Sequence, residues 1–402
     1  MAHLLTIEIS VTEFALFGGS PCFDTPRHVN RPNAASRAAF DDYFDEAWKT
    51  KRFSNGGPLL VRFEQRLSQY LDVANAVAVC NATIGLSLTI QALGLTGEII
   101  LPSYTFISSA NAIKAAGLTP VFCDVRPHDM NMDPAACAAL ITPHTSAVLA
   151  THAWGEPCDT DALAAVCDAA GITLMYDAAH AFGVLHHGRK IGGFGRAEIF
   201  SLHATKVLHA FEGGVIATDD TKLADALRLR RNFGFTGVDQ VEIAGVNAKM
   251  SEAHAAMGLA NLDIIDQIIA ANRRRHDAYA RGLSGLPGVQ LHRPTTGTTS
   301  NFHYVVAEID AAAFGLTRDV LVDLLFAENV LARRYFYPGG HRSPPHLPEI
   351  GGPPSLPVTE AICERVLVLP AGAAIELQDV AAICDLIRRI AASAPEISAR
   401  LS

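Results

Sequence analysis

Between Val77 and Gly214 the chain alternates short apolar runs with stretches rich in alanine and leucine, a pattern that few folds accommodate. The runs Ala76–Cys80, Glu98–Leu101, Pro120–Cys123, Ala147–Thr151, Ile172–Tyr176, Ile199–Leu202 and Val215–Thr218 lack the polar alternation of a half-exposed strand. Ile84–Leu93, Ser108–Ala116, Asp159–Ala170 and Lys222–Asn232 read as helices between them. Strands of this kind, separated by helices, belong to a mostly parallel sheet covered on both faces. The expected class is α/β. A second pattern follows a long helix expected near Ser251–Gly282: strand Phe302–Ile309, helix Thr317–Glu328, strand Val330–Tyr335 and helix Gln378–Ala391. The Gly-, Pro- and Thr-rich stretch Leu283–Thr299 leads into it, and Pro-rich loops at Pro338–Pro357 interrupt it. A length of 402 residues admits two or three domains. We expect a large domain over 1–270, with the N-terminal segment counted in it, and a smaller C-terminal α/β domain over 271–402.

Composition excludes several classes. With 49% hydrophobic and 18% charged residues, the chain has the apolar content for a large core and is not disordered. A net charge of −9 makes it a poor general binder of polyanions, which need a surplus of Lys and Arg. The runs around Arg228, Arg230, Arg231 and Arg273–Arg275 fall on expected helices, where a solvated basic face is ordinary, so no nucleic-acid partner is expected. The eight cysteines include no C-x-x-C pair and read as free thiols of a reducing cytosol. The sixteen histidines show no ligand spacing, so no metal is expected. Met1–Ser20 lacks a basic start and carries Glu8 and Glu13, unlike a signal peptide, and no apolar run reaches 18 residues. The expected place is the cytoplasm, without membrane contact.

In open α/β sheets, ligands bind beyond the carboxyl ends of the strands, which singles out three stretches. Asn81-Ala82-Thr83 precedes the Ile84 helix, where free amides and a hydroxyl make a phosphate site, or where Asn81 or Thr83 simply caps the helix. Asp177 follows Ile172–Tyr176 and reads either as the partner of a protonated ring nitrogen or as a turn cap. Lys206, in Ser201-Leu202-His203-Ala204-Thr205-Lys206, reads as a carbonyl-capturing nucleophile or as a solvated loop lysine. Glu212-Gly213-Gly214 then leads into the next strand, and its glycines permit close backbone approach. A phosphate cradle, a carboxylate and a lysine are together what pyridoxal phosphate requires.

On these residues the sequence resembles the DegT/DnrJ/EryC1/StrS family of sugar aminotransferases. The likeness extends through Phe17-Gly18-Gly19, Pro102–Phe106, Asp177–Gly183, Phe200–Lys206, Asn247–Gly258 and Ala332–Pro338. The resemblance implies the three-layer fold type I of pyridoxal-phosphate transferases. It also implies that Lys206 carries the cofactor as a Schiff base and shuttles the substrate proton, while Asp177 pairs with the pyridinium nitrogen. Ala82, Thr83 and Ser201 would hold the phosphate, Phe106 would stack on the ring, and His180 would lie by its phenolic oxygen. Asn247 would reach the phosphate in a neighbouring subunit, making a homodimer with shared sites. His203, Arg333 and Tyr335 are candidate contacts to substrate. A dehydratase branch of the family has His in place of the lysine, and Lys206 puts this chain on the aminotransferase side. Asn247-Ala248-Lys249-Met250 departs by one residue from the more frequent Asn-Gly-Lys-Met. The implied reaction moves the amino group of glutamate to C4 of a nucleotide-linked keto sugar, most like dTDP-4-keto-6-deoxyglucose, in deoxyamino-sugar biosynthesis such as that of O-antigen. Amination at C3, or a non-catalytic regulatory member, are the alternatives.

Overall fold

The computed structural model describes residues 11–347 and 352–401. The first ten residues of Met1–Ser20, and part of the Pro338–Pro357 loop, lie outside them. Seven strands form the central sheet: β1 (Asn75–Val79), β2 (Glu98–Pro102), β3 (Thr119–Cys123), β4 (Thr145–Thr151), β5 (Thr173–Asp177), β6 (Glu198–Ser201) and β7 (Gly214–Thr218). Each overlaps one of the seven apolar runs. Their spatial order is β1-β7-β6-β5-β4-β2-β3. The β2–β3, β2–β4, β4–β5 and β5–β6 pairs are parallel, while β7 runs antiparallel to both β1 and β6. The carboxyl ends of six strands and the start of β7 therefore meet along one edge.

Side-chain alternation sends neighbouring residues of a strand to opposite faces. On one face Ala76 and Ala78 of β1 pack with Phe200, Val215 and Ala217 under the helices α1 (Arg37–Thr50), α2 (Pro58–Leu71) and, later in the chain, Glu252–Asp263. On the other, Val77, Val79, Ile199 and Ile216 pack against α3 (Ala82–Ala92), α4 (Ser108–Ala115) and the helix Thr221–Arg230. The expected long helix near Ser251–Gly282 is two helices, Glu252–Asp263 and Ile265–Gly282, broken at Ile264 (φ −114°, ψ 10°). The break lets the first helix pack on α1 and α2, and the second on the helix Leu377–Ala392 of the C-terminal part.

Glu252 is fully buried and its carboxylate accepts the amides of Leu59 (2.8 Å) and Leu60 (3.1 Å), closing the start of α2. Gly57 makes room for it, because a Cβ there would stand 2.5 Å from the carboxylate carbon. Glu252→Ala leaves two buried amides without an acceptor, at about 1–3 kcal/mol each. We expect a stability loss of about 3 kcal/mol, read as a lower urea midpoint at unchanged slope. An unshifted midpoint would show that water replaces the carboxylate.

The C-terminal part holds a small antiparallel sheet of Val289–Leu291, Val305–Ile309 and Val366–Leu369. The strand expected over Val330–Tyr335 is reduced to Val330–Leu331, which pairs in parallel with Arg27–His28. Beyond it Arg333 bridges singly to Val368, and the chain turns away. Val11, Phe14 and Phe23 are buried with Leu321, Leu325, Leu367 and Ile387, so the N-terminal segment packs on the C-terminal part. Its apolar side chains find their cover there, across more than 300 residues of sequence. Position 270 falls inside the helix Ile265–Gly282, which contributes to both cores. All eight cysteines are free; Cys22 is exposed, Cys80 half-buried and the rest buried. No described helix is long and apolar enough to cross a membrane.

Candidate active site

A cleft of about 530 Å³ opens at the shared edge of the sheet. Ala82, Thr83, Phe106, Asp177, His180, Ser201, His203, Lys206, Arg333 and Tyr335 all line it. Of the residues singled out in the sequence, Asn247 alone does not. It is exposed, and bridges to Asn232.

Asn81 is the N-cap of α3, its Oδ1 accepting the amide of Ile84 at 2.9 Å. Capping, one of the two readings of this stretch, is thus present, and the first-turn amides of Ala82 and Thr83 lie ahead of the intrahelical ladder, where a helix start can take an anion. Gly214, at the start of β7, shapes that cradle. A Cβ on it would lie 2.6 Å from the Ala82 nitrogen and 2.7 Å from the Asn81 carbonyl carbon.

Asp177 ends β5 and is 4% exposed. Its Oδ1 accepts the Ala179 amide at 3.0 Å, and its Oδ2 the Ser109 hydroxyl at 2.6 Å. Thr105 stands between Ser109 (3.4 Å) and Thr151 (3.1 Å), continuing a row of buried hydroxyls. This is a carboxylate held at a fixed place by one amide and one hydroxyl.

Lys206 follows β6, and its Nζ donates to the Tyr304 hydroxyl at 3.4 Å. Burial lowers its pKa from 10.5 to about 8, although the charges of Asp177 and Tyr335 raise it. A lysine so placed supplies neutral amine near pH 8, as carbonyl capture requires. His180 is buried, lies flat against Trp154 (centroids 5.7 Å apart, 18° between planes), and contacts Tyr304 at 4.7 Å. Burial, and then the charges of Lys206 and His303, hold it well below the usual histidine pKa, so it is neutral. Its Nδ1 is buried without a partner. His303 is pushed down to about 3 by burial and Lys206, and its Nε2 contacts the Thr205 carbonyl at 2.8 Å, steadying the lysine loop.

Phe106 is 54% exposed at the cleft, and its ring lies T-shaped to that of Phe336, centroids 6.4 Å apart. His203 contacts Thr205 through Nδ1 (2.9 Å) and Glu212 through Nε2 (3.6 Å). The Arg333 guanidinium lies over the Tyr335 ring at 4.9 Å. Ser109, Thr151, Tyr304 and Phe336, with His28, Val29 and Asn30 of the N-terminal segment, also belong to the site or its support and lie outside the three stretches singled out in the sequence. Ser109 sits in the first turn of an expected helix and was legible as a hydroxyl at the sheet edge. Nothing local marks Asn30.

The residues fit pyridoxal phosphate. First-turn amides, in a cradle that a Cβ would fill, would take the anion, an amine whose pKa is lowered to about 8 would take the aldehyde, and a fixed carboxylate would take the ring nitrogen. The orphaned Nδ1 of His180 awaits a polar group on the ligand. Among the described residues no group of three or more His, Cys, Asp or Glu is placed to hold a metal ion.

The model of the DegT/DnrJ/EryC1/StrS aminotransferase family matches residues 35–388. A dTDP-4-amino-4,6-dideoxy-D-glucose transaminase of Shigella dysenteriae is 34% identical over 369 residues, which cover 91% of this chain and 100% of that protein. A dTDP-3-amino-3,4,6-trideoxy-alpha-D-glucose transaminase of Streptomyces venezuelae is 33% identical over 337 residues, 83% of this chain and 87% of that one. The crystal structure of DesI in the presence of its TDP-sugar product matches with a TM-score of 0.93 at 46% identity, covering 97% of this chain and 99% of that one.

Proposed function

We propose that this chain, which belongs to the DegT/DnrJ/EryC1/StrS aminotransferase family, moves the amino group of glutamate to C4 of a nucleotide-linked 4-keto-6-deoxyhexose, with dTDP-4-keto-6-deoxyglucose as the acceptor. The enzyme depends on pyridoxal phosphate, which when bound supplies an electron sink for the carbon that loses its proton. The observation that carries the reading is the pairing of Lys206, its pKa lowered to about 8, with the fixed Asp177 carboxylate in one cleft. The likeness to the Shigella dysenteriae enzyme and to DesI supports the C4 assignment.

In this reading Lys206 Nζ removes and returns the proton at the amino-bearing carbon of the substrate, as a base poised near working pH. Asp177 keeps a proton on the ring nitrogen by charge. The Ala82 and Thr83 amides and the Ser201 hydroxyl hold the phosphate. Phe106 covers one face of the ring and excludes water, and the neutral His180 meets the phenolic oxygen. Arg333 suits a diphosphate, since a guanidinium matches phosphate oxygens; Tyr335 and His203 flank the sugar.

Asn247 lies outside this chain's cleft, which supports its serving a second copy. Trp48, Phe211, Phe233 and Phe235 leave large apolar side chains exposed, and that supports a homodimer. The free cysteines support a cytoplasmic setting. Amination at C3 is the second reading, favoured by the Streptomyces venezuelae relative. Purified protein given glutamate and each keto sugar separates the two: 4-amino product is expected, from protein sedimenting at twice the monomer mass. Turnover of the 3-keto isomer alone would overturn the C4 assignment, and a fully active monomer would overturn site sharing.

A further inference from the structure

The N-terminal segment reaches the cleft because it is tied down along its length. Glu328 accepts the amides of Ala15 and Cys22, each at 2.7 Å, and Asn329 donates to the Phe23 carbonyl at 2.7 Å. Arg27–His28 pairs with Val330–Leu331, and Arg27 meets Asp379 at 3.1 Å. The Val29 carbonyl then accepts two amides, from Ala371 (3.0 Å) and Gly372 (3.1 Å). Gly372 lets the segment lie flat, since a Cβ there would stand 2.6 Å from the Arg31 nitrogen and 3.0 Å from the Asn30 Cα. Beyond the cleft, Asn33 donates to the carbonyl of Val207, the residue after Lys206, at 3.2 Å. His28, Val29 and Asn30 are thus held between the small sheet and the lysine loop, and all three line the cleft. Such anchoring fixes their positions before any ligand arrives.

Three side-chain atoms of this stretch, Arg27 Nε, Asn30 Oδ1 and Asn33 Oδ1, are buried without a partner among the described residues, and of the three residues Asn30 alone lines the cleft. A buried carbonyl oxygen without a donor is costly, and native structures rarely keep one without a use. We infer that Asn30 is a specificity residue for the acceptor, its Oδ1 receiving a hydroxyl of the hexose. This rests on the proposed sugar aminotransfer. An amide oxygen can only accept, which decides among the ligands. The two carboxylates of glutamate offer no donor, and its amino group is the one given up at the cofactor aldehyde. The hexose brings hydroxyl donors.

Titration of holoenzyme with the dTDP-4-amino-4,6-dideoxyglucose product tests the assignment, using wild type, Asn30→Ala and Asn30→Asp. Loss of one hydrogen bond together with desolvation of its partner predicts about tenfold weaker binding for Asn30→Ala. The KM for the keto sugar should rise by a similar factor with kcat little changed. Asn30→Asp, which keeps an acceptor oxygen, should recover most of the affinity. The half-reaction with glutamate, followed by cofactor absorbance, should match wild type in both variants. Unaltered sugar affinity in Asn30→Ala overturns the inference, and so does an equal loss in the glutamate half-reaction, the mark of a merely structural role. A wild type that turns over no nucleotide-linked keto sugar overturns both the inference and the reaction beneath it. An active wild type with an indifferent Asn30→Ala overturns the inference alone.

Discussion

Lys206→Ala is expected to lower turnover by about 10³-fold or more, because one side chain serves as both nucleophile and proton carrier. Its Nζ donates to the Tyr304 hydroxyl, and among the described residues lining the cleft there is no second lysine to replace it. The same burial gives the reaction its pH dependence. With the lysine at about 8 and not 10.5, capture of an aldehyde by apoprotein should rise about tenfold per pH unit below 8 and level off above it. The effect on stability has the same sign. Between about pH 8 and 10.5 the unfolded lysine holds a proton that the folded one has released, so the apoprotein gains stability as pH rises through that window. Capture followed by the absorbance of the bound aldehyde checks the first statement. Undiminished turnover by Lys206→Ala, or a capture rate flat from pH 6 to pH 10, would remove this lysine from the mechanism.

Much of the site was legible because its residues are punctuation. Asn81 and Asp177 are the first polar residues beyond apolar runs and Ser201 is the polar residue at the end of β6, and a mostly parallel sheet brings such positions to one edge. The strands were legible for a related reason: all but the edge strand β3 are buried on both faces along nearly their whole length, so their sequences are apolar without alternation. The helix α2 also left a trace. Leu59, Leu60, Phe63, Leu67 and Leu71 fall at helical spacing and are buried together, ahead of the region where strands and helices alternate. The helix α1 left less, with Ala47 its one buried residue.

What stayed hidden depends on pairings distant in sequence. His28 and Asn30 come to the cleft through bonds with residues some 300 positions away, and no local pattern encodes those. The contact of Tyr304 with Lys206 joins residues 98 apart. Local chemistry marks a strand end; it does not say which remote side chain will face it.

Asp177→Asn is the second large effect expected. The amide keeps the shape of the carboxylate. Its oxygen can still accept from Ala179, and its NH₂ can donate to the Ser109 hydroxyl, which now turns to accept. The fold should therefore stand, with a urea midpoint close to wild type. What is lost is charge, in a water-poor place where a fixed charge has its strongest effect. Without it the ring nitrogen has no reason to hold a proton, and turnover should fall by about 10²–10³-fold. A second consequence runs the other way in pH. Asp177 is the largest influence raising the pKa of Lys206 against its burial, so removing that charge moves the lysine below about 8. Aldehyde capture by the variant apoprotein should thus reach its plateau at lower pH than in wild type, even as aminotransfer collapses. A uniformly damaged site would slow both steps and leave the plateau where it was. Loss of turnover with faster capture at neutral pH would assign Asp177 to electrostatics, whereas wild-type turnover by Asp177→Asn would show that the ring nitrogen needs no anionic partner here.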